Sequence, residues 1–76
     1  METVFNLIRE ERKRQDQKWG ADRYQHDAIW MTILVEEVGE VAEAILKRSP
    51  TVKNELIQVA AVAVAWLESL QIFQII

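Results

Sequence analysis

Val59-Ala60-Ala61-Val62-Ala63-Val64-Ala65-Trp66-Leu67 is a run of nine apolar residues. Whether it is helix or strand decides the fold. The alternation of valine with alanine suits a strand's period of two. The alanine content, the length of the surrounding segment and the lack of other strand signals favour a helix. As a helix the run is apolar on every side, the pattern of a helix buried all round. Three helices of one small chain would not cover it. The expectation is therefore an all-α fold, an antiparallel helical bundle completed by oligomerisation, with residues 1–76 as a single domain.

Upstream of the run, Ser49-Pro50 reads as the N-cap and first position of this third helix, which extends to Gln71 or beyond. A second helix is predicted from about Asp27, as N-cap, to Arg48. Ile29, Ile33, Val41, Ile45 and Leu34, Val38, Ala42, Leu46 form two adjoining apolar stripes on it. Gly39 lies mid-helix, where glycine costs about 1 kcal/mol relative to alanine. It is either simply tolerated or kept for the close approach of a helix or ligand. A first helix is predicted over residues 2–18, with ion pairs Glu10–Arg14 and Arg12–Asp16. Its basic residues, Lys18 among them, are either a solvated face or hold an anionic ligand. Between the first two helices, Trp19 to Asp27 breaks the periodicity and reads as a loop. Trp19, Tyr24 and His26 there either grip a nucleobase by stacking and hydrogen bonds, or Trp19 and Tyr24 close the end of the core and His26 is exposed. Trp30 and Trp66 are assigned to the core. The tail Ile72-Phe73-Gln74-Ile75-Ile76 should dock against something.

Half of the 76 residues are hydrophobic, high for so short a chain, which again favours burial between subunits. With no cysteine, neither a disulfide nor a thiolate metal site can reinforce the core. A formal net charge of −3 argues against a nucleic-acid partner. The N-terminus lacks an apolar signal segment. The nine-residue apolar run is short of the roughly 20 that span a bilayer. The expected location is the cytoplasm, with no membrane association.

The chemistry concentrates in Glu36-Glu37-Val38-Gly39-Glu40, with Glu43 following. On a helix these acids sit three or four residues apart and repel one another. Lys47 can answer Glu43, but Glu36, Glu37 and Glu40 have no basic residue at that spacing. The third helix offers Glu55 and Gln58. Across a short antiparallel turn, Glu37 and Glu40 come to heights comparable with Glu55 and Gln58. Four oxygen-bearing side chains then face one space, and a hard dication such as Mg²⁺ suits it. Lys47, Arg48 and Lys53, near the turn, are either placed to contact phosphates or are ordinary helix-end charges.

Glu36-Glu37-Val38-Gly39-Glu40 followed by Glu55-Leu56-Ile57-Gln58 resembles the EExxE…ExxD signature of the MazG-like all-α nucleoside triphosphate pyrophosphohydrolases. The resemblance extends upstream through Gln17-Lys18-Trp19-Gly20 and His26-Asp27. It implies hydrolysis of a (d)NTP to (d)NMP and pyrophosphate with Mg²⁺, or Mn²⁺ as its substitute, by a homodimer or a dimer of dimers. By position, Glu37, Glu40 and Glu55 would be metal ligands, with Gln58 standing where the family has Asp. Glu36 would be the catalytic base that holds the attacking water. Lys18, Trp19, His26, Lys47 and Lys53 are the expected substrate contacts. Two other readings stay open. Gln58 removes a charge and would leave a non-catalytic nucleotide- or metal-binding relative. Alternatively, the glutamates are a polar seam in a helical assembly protein.

Overall fold

The computed structural model describes residues 3–73, in three helices: α1, Val4–Trp19; α2, Asp27–Leu46; and α3, Val52–Phe73. Among the described residues there is no strand. The Val/Ala run is helical, as its length and alanine content predict. Gln74, Ile75 and Ile76 of the apolar tail lie outside the described residues. Of the rest of the tail, Ile72 is exposed, and Phe73 meets the Tyr24 ring edge-on at 5.4 Å.

The helix ends differ from the sequence reading at both ends of α1 and α2 and at the start of α3, each for a local reason. α1 is capped by Thr3, whose hydroxyl accepts from the Asn6 amide at 3.1 Å. It includes Trp19 and closes at Gly20, whose φ of 92° is open to glycine and whose N–H reaches the Asp16 carbonyl at 2.8 Å. Asp27 is the first residue of α2 and not its cap; that position falls to His26, which makes no side-chain capping bond. The Asp27 carboxylate instead accepts from Trp66 Nε1 at 3.0 Å, while its charge still suits the positive end of the helix. α2 stops at Leu46 because Arg48 turns left-handed, with φ 53°. The Ser49 and Arg48 amides then bond back to the Ala44 and Ile45 carbonyls at 2.9 and 3.1 Å, closing the helix end. Ser49 does not cap α3. Its hydroxyl accepts from the Thr51 amide at 3.2 Å inside the turn, and Thr51 supplies the carbonyl bonded by the Glu55 amide at 2.9 Å.

α3 is the central helix. α1 and α2 each pack on it and do not approach one another closely. Contacts Asp27–Trp66 at one end and Glu40 beside Glu55 nearer the turn show that α2 runs antiparallel to α3. α1 runs parallel to α3: Val4, Leu7 and Ile8 border Leu56 and Ile57, and Arg12 meets Glu68. The core is Trp30, Val62 and Ala65, with Ile33, Leu34 and Trp66 packed against it. Trp30 is fully buried, whereas Trp66 is half-buried and hydrogen-bonded at its edge. Within Val59–Leu67 only Leu67 is exposed. Three of the nine, Ala61, Val62 and Ala65, are buried, and five are half-buried. By length and composition α3 would also cross a membrane, with 22 residues and a mean hydropathy of 1.7 over its most apolar window.

Polar ties hold the outer helices to α3. Arg12 Nε and Nη2 donate to Glu68 Oε1 at 3.1 and 2.9 Å, and Nη1 donates to Asp16 at 2.9 Å. The expected Arg12–Asp16 pair therefore forms. The expected Glu10–Arg14 pair does not: Arg14 is held by Glu11 at 2.7 Å, and Glu10 takes Lys13 at 3.3 Å. Three-residue spacing is as close on a helix as four. Ser69 Oγ donates to the Arg23 carbonyl at 3.0 Å, fastening the loop between α1 and α2 to α3.

A left-handed backbone at a non-glycine residue costs about 1 kcal/mol or slightly more. Arg48→Gly is therefore expected to stabilise the chain by about 1 kcal/mol, read as a higher midpoint in urea unfolding. An unchanged or lower midpoint would show that the arginine side chain offsets the backbone strain.

Candidate functional site

The register of α2 on α3 brings Glu37, Glu40 and Glu55 together, each with a carboxylate oxygen within 4.8 Å of the others. Glu37 and Glu40 share one face of α2 as the i, i+3 pair, and Glu55 lies opposite in the first turns of α3. By the same register Gln58, one turn beyond Glu55, stands at the height of Glu37. It is half-buried.

Two carboxylate oxygens, Glu37 Oε2 and Glu55 Oε2, are buried without a hydrogen-bond partner. Burial raises the pKa of Glu37 to about 7, helped by the negative charges of Glu40, Glu55 and Glu11. Desolvation and Glu40 push Glu55 upward as well. Among the described residues none of the three glutamates is ion-paired; Arg14, which is paired with Glu11, is within reach of the Glu37 charge. Lys47 is ion-paired with Glu43, which holds Glu43 below its usual range. Two oxygens on one octahedral Mg²⁺ lie about 3 to 4 Å apart. The three carboxylates are already near that span, and their chemistry is that of a hard oxygen site.

Two clefts meet at Glu40. The first, about 340 Å³, is lined by Glu36, Glu37, Glu40, Trp19, Arg23, Gln25, Ile33 and Val62. The second, about 300 Å³, is lined by Glu40, Glu43, Ala44, Lys47, Ser49, Thr51 and Glu55. Glu36 is exposed on the first cleft, and Trp19 forms part of its wall. Lys18 lies with its ammonium 4.8 Å from the centre of the Trp19 ring. Lys47 lines the second cleft, but the remaining two expected substrate contacts do not converge here. His26 lines a separate pocket with Tyr24, Trp30 and Phe73. Lys53 borders an apolar groove between α1 and α3.

Arg23 and Gln25 were not among the expected site residues, although both lie in the loop read as a nucleobase grip. The Arg23 guanidinium sits 4.9 Å from the Trp30 ring and 5.6 Å from Trp19. Burial and nearby Arg12 hold its pKa below the usual arginine range. Gln25 Nε2 is buried without an acceptor. Neither shows a sequence signal, because loop side chains carry no period. Gly39 has open space where a Cβ would stand, so no group within the chain requires glycine there.

No family model, curated protein or solved structure matches this chain.

A carboxyl whose pKa is raised on folding binds more protons in the folded than in the unfolded state, so its contribution to stability falls as pH rises. For Glu37 the loss begins above the ordinary carboxyl pKa and is complete above about 7. Glu37→Gln should accordingly raise the melting temperature at pH 8 in a chelating buffer and leave it nearly unchanged at pH 4. It should also remove most of any rise that millimolar Mg²⁺ or Mn²⁺ gives the wild type. Equal shifts at both pH values would mean that Glu37 is not under electrostatic stress.

Proposed function

We propose that this chain is a metal-dependent nucleoside triphosphate pyrophosphohydrolase of the MazG-like kind, converting a (d)NTP to the monophosphate and pyrophosphate. The observation that carries the reading is the meeting of Glu37, Glu40 and Glu55 across two helices, with two buried carboxylate oxygens lacking any donor. The motif spacing supplies the reaction class.

Glu37, Glu40 and Glu55 would hold the metal, with the neutral amide oxygen of Gln58 as a further ligand. Bound there, Mg²⁺, or Mn²⁺ in its place, supplies neutralisation of the triphosphate oxygens. Glu36, exposed on the same cleft, is the base: its carboxylate accepts the proton of the water that attacks the α-phosphorus. Trp19 offers a stacking face to the base, and Gln25 an unspent amide donor. Lys18 and Lys47 lie at the edges of the site. His26 and Lys53 would need a second subunit or a moved side chain to reach substrate. The reading includes a homodimer or dimer of dimers in the cytoplasm, with neither nucleic acid nor membrane as partner. The ties from Arg12 and Asp27 to α3 support a bundle role for α3 over a membrane-spanning one.

A second reading, a binding protein without turnover, is favoured by Gln58, since only three of the four positions carry charge. A panel of NTPs and dNTPs with pyrophosphate detection separates the two. The expected result is metal-dependent release of pyrophosphate, with Glu36→Gln losing about 10²- to 10⁴-fold in kcat while nucleotide affinity is kept. Nucleotide binding without pyrophosphate release on every substrate supports the binding-only reading. Neither metal nor nucleotide binding would leave the glutamates as a polar seam.

A further inference from the structure

Arg23 is half-buried in the loop between α1 and α2 and lines the cleft that holds Glu36, Glu37 and Glu40. Its guanidinium carbon lies over two indoles, 4.9 Å from the centre of Trp30 and 5.6 Å from that of Trp19. The ring faces attract the charge but offer no lone pair to its N–H donors. Among the described residues the side chain has neither an ion pair nor a hydrogen-bond acceptor. Asp16 and Glu68, which line a small pocket with it, are both bonded to Arg12 at 2.9 Å. Burial, and then the like charge of Arg12, disfavour the cation. An anion that meets it there interacts more strongly than on an open surface.

Lys18 adds a second charge, with its ammonium 4.8 Å from the Trp19 ring centre. Other basic residues near the clefts are spent or remote. Arg12 is held by Asp16 and Glu68, Arg14 by Glu11 and Lys47 by Glu43. Lys53 borders the groove between α1 and α3. A triphosphate carries more negative charge than one dication cancels, and Glu36, Glu37 and Glu40 add to it. Its tail therefore needs cations from the protein. We propose that Arg23 holds the two terminal phosphates of the substrate, the group that leaves as pyrophosphate. The inference rests on the pyrophosphohydrolase reading above. In that reaction the water oxygen bonds the α-phosphorus and its proton passes to Glu36. The bond from the α-phosphorus to the α,β-bridging oxygen breaks, and its electron pair stays on that oxygen. The leaving group thereby gains negative charge, which the planar fork of Arg23 stabilises more in the transition state than in the ground state.

Calorimetric titration of the full chain with inorganic pyrophosphate in the presence of Mg²⁺, and separately with Mn²⁺ alone, tests this. Arg23→Gln should weaken pyrophosphate binding by about 10- to 100-fold. Arg23→Lys should restore only part of it, because an ammonium lacks the fork. Mn²⁺ alone should bind all three proteins equally. Unchanged pyrophosphate affinity in Arg23→Gln overturns the inference, and leaves the hydrolase reading intact if that variant still turns over nucleotide. An equal loss of Mn²⁺ and pyrophosphate binding also overturns it, since that is the mark of a loosened loop. Pyrophosphate held through Arg23 by a chain that hydrolyses no nucleotide would sink the hydrolase reading and leave Arg23 as the anion ligand. If Arg23→Gln unfolds, phenylglyoxal labelling of the wild type decides. Pyrophosphate with Mg²⁺ should then protect Arg23 and leave Arg14 and Arg48 reactive; unprotected Arg23 would overturn the inference.

Discussion

Three carboxylates within 4.8 Å of one another repel, and the packing of α2 on α3 sets their backbones side by side. Glu37 and Glu40 are fixed by the pitch of α2. Glu55 is fixed by the register of α3 against it. That register is set at one end by the Asp27–Trp66 hydrogen bond at 3.0 Å and at the other by the closed turn around Arg48. Buried oxygens without donors make the arrangement costly in the absence of a cation. An apolar or paired substitution would relieve the cost, so its presence is the strongest physical argument for a ligand.

α1 contributes in a different way. It does not pack on α2; it covers α3 from the other side and leaves a cleft whose wall includes Trp19. Arg12, bonded to both Asp16 and Glu68, fixes its angle. Arg23, between two indoles, and the Ser69 bond to its carbonyl hold the loop against the bundle. The cleft beside Glu36, Glu37 and Glu40 thus has an indole and an amide in its wall.

Much of this was legible in the sequence. Helix periodicity placed three helices to within a few residues, and counting residues from the turn brought the Glu37 and Glu40 pair to a height comparable with Glu55 and Gln58. What was hidden depended on partners that sequence spacing does not name. Asp27 has the chemistry of a cap, yet Trp66, 39 residues away, claims its carboxylate. Arg48 carries no mark of a left-handed residue, because the usual mark is glycine. Ser49-Pro50 has the cap pattern, but the hydroxyl of Ser49 is spent inside the turn on Thr51. The apolar run of α3 is helical as read, but only Ala61, Val62 and Ala65 of it are buried within one chain, and several apolar side chains of α2, Met31, Val35, Val38 and Ile45 among them, are exposed.

The most direct measurement is anomalous diffraction from crystals of the chain grown with Mn²⁺, collected at the manganese edge. The account predicts a peak bounded by carboxylate oxygens of Glu37, Glu40 and Glu55, the three drawn closer than their present span. Well-ordered glutamates in their present positions with no peak between them, in crystals holding Mn²⁺ elsewhere, would contradict it.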